Sequence, residues 1–367
     1  MKIDYSILDL LIEDNISFAA YRLPAEKHIH LIVQQSNALS CFNSLTEVSG
    51  KRGFLITPFQ TSVDFPVVLI PEDIHLIGDK AIHEFALSYQ DKRLPNHSNF
   101  PILPPFSTSR EQYQQMFDVF QNALDAGKFE KLVLSRRYLL EKPKGFSPSK
   151  AYKKAVDLYP NAFVYLAYTP FTGIWMGSTP ELLLAEENGV FHTTALAGTQ
   201  MADNVQDVSC LTWNEKNRRE QAIVSEYMRN LLQKQGLEFS ESEVYSFRAG
   251  NVAHLKTDFH FQSNPSVSTG ALLAAIHPSP AVCGIPKSEA SSFIQTHESH
   301  DRAYYSGFTG NLSMNNRTDL YVNLRCMQIL PHSLVLYAGG GILISSQAEE
   351  EWKETEDKMQ AMLKVLQ

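Results

Sequence analysis

Ser333-Leu-Val-Leu-Tyr-Ala-Gly-Gly-Gly-Ile-Leu-Ile344 leads, across a four-residue break, into Glu349-Glu-Glu-Trp-Lys-Glu-Thr-Glu-Asp-Lys358. The first stretch is a short apolar run ending on three glycines, the second the start of a helix, so a buried strand feeds a terminal helix. Helical geometry puts Glu351, Glu354 and Lys358 at i, i+3 and i+7, on one face. The glycines let a ligand or another side chain approach the backbone closely. An acid-rich first turn also suits the helix dipole, so this segment alone leaves a metal site and a solvated helix start both open.

Outward from that segment, the chain reads as many strands with a few long helices, not in strict βαβ alternation. A layered α+β fold follows. Glu111–Ala126 carries an apolar stripe at Tyr113, Met116, Phe117, Phe120 and Leu124, and Phe129–Leu140 follows as a strand. Further strands are expected at 162–168, 173–176, 182–185, 189–192 and 252–261, with helices over 212–235 and 287–297. A pair of strands at 304–312 and 320–329 precedes the final one. The first hundred residues suggest a helix at 5–12 and strands at 17–23, 30–33 and 66–70, with no evident chemistry. Prolines at Pro95, Pro101, Pro104 and Pro105 mark a boundary, dividing an N-terminal segment, 1–105, packed on the same fold, from a catalytic region, 106–367.

Of the 367 residues 44% are hydrophobic and 20% charged, enough to bury a large core. Four scattered cysteines without a CxxC pair argue against zinc ribbons and disulfide scaffolds and fit a reducing compartment. Acidic residues interrupt the N-terminal apolar stretch and no later run is long enough to span a bilayer, so a soluble, cytoplasmic protein is expected. A net charge of -8 without a basic run disfavours nucleic acid and anionic membranes as partners. An anionic substrate would need locally concentrated positive charge.

Three further residues stand where chemistry could be placed. Glu220, in the charged start of a long helix, could join the terminal carboxylates; two carboxylates with waters and substrate oxygens are how Mg²⁺ is usually held. Lys131 opens the apolar run Lys131-Leu-Val-Leu-Ser-Arg136, where a desolvated ammonium could serve as a base. Glu181, at a loop-to-strand junction before apolar residues, would have its pKa raised by burial, as a general acid requires. Each also has a plain reading, as a solvated helix residue, a snorkelling lysine and an exposed turn carboxylate. His30, His297 and His300 read as scattered polar residues without metal spacing, and Cys283 as a small packing residue.

Seven segments, in order, resemble the chorismate-utilising enzymes: Lys131-Leu-Val-Leu-Ser-Arg, Ser178-Thr-Pro-Glu-Leu-Leu, Ala197-Gly-Thr, Lys216-Asn-Arg-Arg-Glu, His277-Pro-Ser-Pro-Ala-Val-Cys-Gly-Ile-Pro, Arg302-Ala-Tyr-Tyr-Ser-Gly, and Ala338-Gly-Gly-Gly-Ile with Glu351-Trp-Lys-Glu-Thr. The likeness runs from about residue 110 to the end and is greatest to the isochorismate synthases. It implies an anthranilate synthase component I-like fold of two packed β-sheets with outer helices and a site in the cleft. It also implies Mg²⁺-dependent conversion of chorismate to isochorismate, with Lys131 activating water for attack at C2 and Glu181 protonating the departing C4 hydroxyl. By the same resemblance Glu220, Glu354 and, nearby, Glu351 hold the metal, while Gly198, His254, Arg325, Gly339 and Lys358 meet the substrate. No glutaminase partner is expected, because water is the nucleophile. Amination is disfavoured by Lys131 and by Ala197, which stands where aminodeoxychorismate-forming relatives place a nucleophilic lysine. Salicylate synthases share Lys131 and Glu181, so loss of pyruvate stays open; a non-catalytic chorismate-binding subunit would need neither residue. Asn217, Gln221 and Gln347-Ala348 depart from the usual aspartate, histidine and aspartate-proline.

Overall fold

Strand Phe163–Thr169 is buried at every position, and its side chains divide by parity. Phe163, Tyr165 and Ala167 enter a core between two sheets, whereas Val164, Leu166 and Tyr168 face helices outside. Strand Phe18–Arg22 repeats the pattern with Ala19 and Tyr21 inside and Phe18 and Ala20 outside. Period-two geometry makes a strand covered on both faces read as a continuous apolar run. The computed structural model describes residues 5–35, 39–89, 106–202, 205–249, 252–262, 264 and 266–367. Of the proline-rich boundary expected over 91–110, residues 91–105 lie outside them.

Among the described residues one sheet has nine strands and the other ten, and every pairing is antiparallel. In the first sheet Lys131–Glu141, Ser333–Ile342, Cys326–Ile329, Gly173–Thr179, Phe163–Thr169, Phe18–Arg22, His30–Val33 and Ile74–Ile77 lie in that order, with the short Gly284–Ile285 beside Lys131–Glu141. The second is built around Val252–Gln262, Val190–Met201, Leu182–Glu187, Arg317–Val322, Phe308–Met314, Gly53–Thr57 and Val67–Pro71. Strands from the first hundred residues thus extend both sheets.

Between the sheets Trp175, Tyr304, Tyr305, Tyr321 and Tyr337 form an aromatic core. Trp175 stacks on Tyr337 at 5.5 Å and donates its indole N–H to the Thr172 carbonyl at 2.9 Å, so its one polar atom is satisfied. Helices Pro148–Leu158 and Ala348–Leu366 cover the outside of the first sheet through Tyr152, Ala155, Met359 and Met362. Helices Glu215–Lys234 and Thr269–Ile276 cover the second through Val224, Met228, Leu272 and Leu273. Two packed sheets with outer helices agree with the fold expected from sequence.

The expected strand 320–329 is instead two strands in different sheets. Arg317–Val322 belongs to the second sheet and Cys326–Ile329 to the first. The chain crosses at Asn323–Arg325, pinned by Asn323, which accepts from Tyr165 Oη at 2.7 Å and donates to the Tyr304 carbonyl at 2.8 Å. Arg325 takes a positive φ of 46° at this corner, a conformation non-glycine residues seldom adopt, and its side chain lines the cavity between the sheets. Residues 304–307, expected in a strand, form the turn that ends at Phe308. Strand Gly53–Thr57 and helices Asp79–Ser88, Pro148–Leu158 and Thr269–Ile276 were not evident from periodicity.

Candidate active site

Antiparallel pairing sets Gly339, Gly340 and Gly341 opposite Ser135, Leu134 and Val133. A methyl group on Gly341 would stand 2.2 Å from Glu220 Oε1 and 2.9 Å from Lys131 Cε; one on Gly340 would stand 3.0 Å from Glu351 Oε2 and 4.0 Å from Glu354 Oε1. The glycine run is therefore a floor on which three carboxylates and a lysine converge. A side chain there would displace them.

Two helices deliver the carboxylates. Asn214 caps Glu215–Lys234 by accepting from the Asn217 amide at 2.8 Å, which fixes a start from which Lys216 and Glu220, four apart, share a face. Helix Ala348–Leu366 supplies Glu351, Glu354 and Lys358 from its own shared face. Its first residue is preceded by Gln347, whose side chain makes no capping bond.

Each carboxylate has a lysine. Lys131 Nζ lies 2.9 Å from Glu220 Oε1, Lys358 Nζ 2.7 Å from Glu354 Oε1, and Lys216 Nζ bonds Glu351 Oε1. Lys131 is wholly buried, so it does not snorkel, and Glu220 is not the solvated helix residue its surroundings in sequence allow. Burial works to raise Glu220, but Lys131, Lys358 and Lys216 outweigh it and hold its pKa below the ordinary carboxylate value. Glu351 goes the other way: burial first, then the like charge of Glu354, push it up to about 7 against the pull of Lys216.

The cavity beside this floor is lined by Glu181, Gly198, His254, Arg325, Gly339 and Lys358, all candidates from sequence, and also by Tyr305 and Tyr337. Glu181 is 7% exposed, which removes its reading as a turn carboxylate. Burial lifts it to about 7 even though Lys131, Lys358 and Arg325 oppose the rise. Gly198 has a φ of 74°, and a side chain there would meet the Asn217 carbonyl at 2.9 Å, so the loop must carry glycine to lie against the helix.

His254 is held in one tautomer. Its Nδ1–H donates to the Gly198 carbonyl at 3.0 Å, and its Nε2 accepts from Arg325 Nη2 at 2.8 Å. Burial, then Arg325 and Lys358, lower its pKa well below the ordinary imidazole value, so it is neutral. Arg325 is lowered by burial to about 10, still a cation at neutral pH. Lys358 also donates to the Gly339 carbonyl at 2.8 Å. The helices thus bring carboxylates to the cavity with Lys358 among them, and Arg325, from the crossing between the sheets, adds a second cation.

Sequence reasoning missed Lys216 as the partner of Glu351 and Tyr305 as a wall of the cavity. Both lie inside segments that carry the family likeness, the signal that could have found them. Two departures from the usual pattern have local partners: Gln221 donates to Ser225 Oγ and Thr257 Oγ1, each at 2.8 Å, and Asn217 donates to the Thr199 carbonyl at 3.3 Å. The side chain of His300 is fully buried and lies 3.0 Å from Ser135 Oγ. Cys283 is buried in an apolar cluster, and the four cysteines are free thiols.

Among the described residues no group of three or more His, Cys, Asp or Glu is disposed as a complete cation shell. Mg²⁺ does not require one, because it keeps waters and takes substrate oxygens alongside one or two carboxylates. Glu351 Oε2 is buried without a hydrogen-bond partner beside Gly340 and Glu354, the kind of orphaned oxygen a hard cation would satisfy. The oxygen-only donor set fits Mg²⁺ and does not favour zinc.

The two-sheet fold and this cavity define a recognised class. The chain belongs to the chorismate-binding enzymes, matching the family described as "Chorismate binding enzyme" over residues 71–367. Among curated relatives, the vibriobactin-specific isochorismate synthase of Vibrio cholerae is 28% identical over 271 residues, spanning 70% of this chain and 67% of its own length. The isochorismate synthase EntC of Escherichia coli is 27% identical over 242 residues, 64% of this chain; the match spans only 62% of EntC. The solved structure of MenF, the menaquinone-specific isochorismate synthase from Escherichia coli, superposes with a TM-score of 0.80 at 22% identity, covering 100% of this chain and 92% of that one. Anthranilate synthase component I from Streptococcus pneumoniae superposes with a TM-score of 0.65 at 20% identity, covering 98% and 86%. At these identities the superpositions establish the fold. The family read from seven sequence segments is borne out. No helix among the described residues is long and apolar enough to cross a membrane.

Proposed function

We propose that the protein is an Mg²⁺-dependent isochorismate synthase, adding water at C2 of chorismate and expelling the C4 hydroxyl. The observation that carries this reading is a wholly buried lysine, Lys131, paired with Glu220 of the cavity wall, while the carboxyl group of Glu181, raised to about 7, lines the same cavity. A binder would need neither, since both are costly to bury.

Lys131 is the base that takes a proton from the attacking water, and Glu181 is the acid that hands its proton to the leaving hydroxyl oxygen. Arg325 and Lys358 anchor the carboxylates of the dianionic substrate, and His254, neutral and bonded to Arg325, fixes the guanidinium's direction. Glu220 and Glu354, with Glu351, would hold Mg²⁺. Bound there, Mg²⁺ would supply positive charge against the substrate's ring carboxylate. Ala197 leaves no nucleophilic lysine against the ring, so water is the attacking group.

The test is incubation of the purified protein with chorismate and Mg²⁺, without ammonia, beside a sample in EDTA. Isochorismate that disappears with EDTA supports the assignment. Salicylate with pyruvate would reassign the protein to the salicylate synthases, and unchanged chorismate would make it a binding subunit.

A further inference from the structure

The strand that carries Lys131 has one side paired with Ser333–Ile342 and, among the described residues, the other almost bare of strands. Gly284–Ile285 covers only its start, through pairings to Leu132 and Lys131. An uncovered edge leaves backbone groups unsatisfied and the strand free to shift. Further along, Thr108 takes over, exchanging bonds with Arg137 at 3.0 and 3.2 Å, and Ser107 accepts from the Leu139 amide at 2.9 Å. The Val133 amide still donates to the Cys283 carbonyl at 2.7 Å, and between these covers lies a gap at the Val133 carbonyl and the Ser135 amide.

Two side chains, not backbone, fill it. Arg302 Nη2 donates to the Val133 carbonyl at 2.8 Å, and Glu298 Oε1 accepts from the Ser135 amide at 2.7 Å. The two are joined to each other, Arg302 Nη2 to Glu298 Oε1 at 2.6 Å and Nε to Oε2 at 2.8 Å. Arg302 Nη1 reaches on to the Val282 carbonyl at 2.7 Å, while Glu298 Oε2 accepts from Ser135 Oγ at 2.9 Å. Both side chains are at most 2% exposed. Val133 and Val282 line the cavity, and Lys131 stands two residues before Val133, on the same side of the strand.

We propose that the buried Glu298–Arg302 pair stands in for a missing strand and positions Lys131 and the Val133–Val282 wall for reaction. These are positioning residues, since neither lines the cavity. The proposal rests on the reading of Lys131 as base. Lys131–Arg137 peptides report on the edge whatever the reaction is.

Glu298→Gln turns an –NH₂ toward the Arg302 N–H groups, and Arg302→Lys replaces a fork spanning two carbonyls with a single ammonium. In both folded variants, hydrogen exchange in peptides covering 131–137 should quicken at least about tenfold relative to the strand 163–169. Turnover should fall about 10- to 100-fold, with KM for chorismate within about threefold of wild type, the signature of a displaced base. Wild-type exchange at 131–137, or turnover per folded molecule equal to wild type despite a lowered melting temperature, would overturn the proposal. If the wild type itself forms no isochorismate while exchange still quickens, the functional assignment fails and the edge-covering role stands.

Discussion

Lys131 Nζ and Glu220 Oε1 lie 2.9 Å apart with the lysine wholly enclosed, and Gly341 of the neighbouring strand lies directly against both side chains. Lys131 is therefore engaged in an ion pair. For it to act as a base, the partner's charge must be engaged elsewhere, which ties the proton chemistry to whatever else Glu220 binds.

Lys131→Ala should remove water addition, lowering turnover by about 10²–10⁴-fold, the usual worth of a positioned base. Chorismate should still bind in the presence of Mg²⁺. Calorimetric titration checks the second point, and turnover at the wild-type level would sink the assignment.

Gly341→Ala should be inactive, because its methyl carbon would stand 2.2 Å from Glu220 Oε1 and 2.9 Å from Lys131 Cε. Both side chains would have to move. The expected outcome is a folded protein by circular dichroism with turnover lowered at least about 100-fold.

The pH profile follows from Glu181. Burial raises it to about 7, so in the free enzyme it keeps the proton it must donate up to that pH and loses it above. kcat/KM should therefore fall on the alkaline side with an apparent pKa near 7, about tenfold per pH unit once the limb is established. For stability the sign is the same. The native state holds a proton on Glu181 between its ordinary value of 4.5 and about 7 that the unfolded chain has released. That contribution is complete below the ordinary value and is lost as pH rises through the window. Denaturant midpoints for wild type and Glu181→Gln across this range should differ in slope; parallel curves would show that Glu181 is not raised.

Mg²⁺ affinity should change with pH in the opposite sense. Glu351, lifted to about 7 by burial and by Glu354, must shed its proton to serve a cation, so binding should tighten as pH rises and release protons. Titrations in buffers of different ionisation enthalpy read the proton count directly. Glu354→Gln should weaken Mg²⁺ binding about 10-fold or more while leaving the fold intact, and an unchanged affinity would remove Glu354 from the ligand set.

Much of the candidate site was legible because it is local. Glu351, Glu354 and Lys358 share a face by helix geometry alone, and the glycine run announces a close approach without saying of what. The strand 163–169 and the helix 287–297 were readable from their own patterns. The strand expected at 320–329 was not readable as two. Val322 and Cys326 are both apolar strand residues, and the crossing depends on Asn323 bonding Tyr165 and Tyr304, which are distant in sequence.

The sequence by itself determined the family, the layered α+β character and which residues could carry chemistry, because periodicity, glycine placement and ordered segments are properties of the chain in one dimension. The tertiary structure decided their states: that Lys131 is enclosed and ion-paired, that Glu181 and Glu351 are lifted to about 7, and that His254 is neutral against Arg325. Those states come from burial and from charges delivered by separate helices and strands. No spacing along a chain encodes the dielectric or the neighbours a group will meet when two sheets close over it.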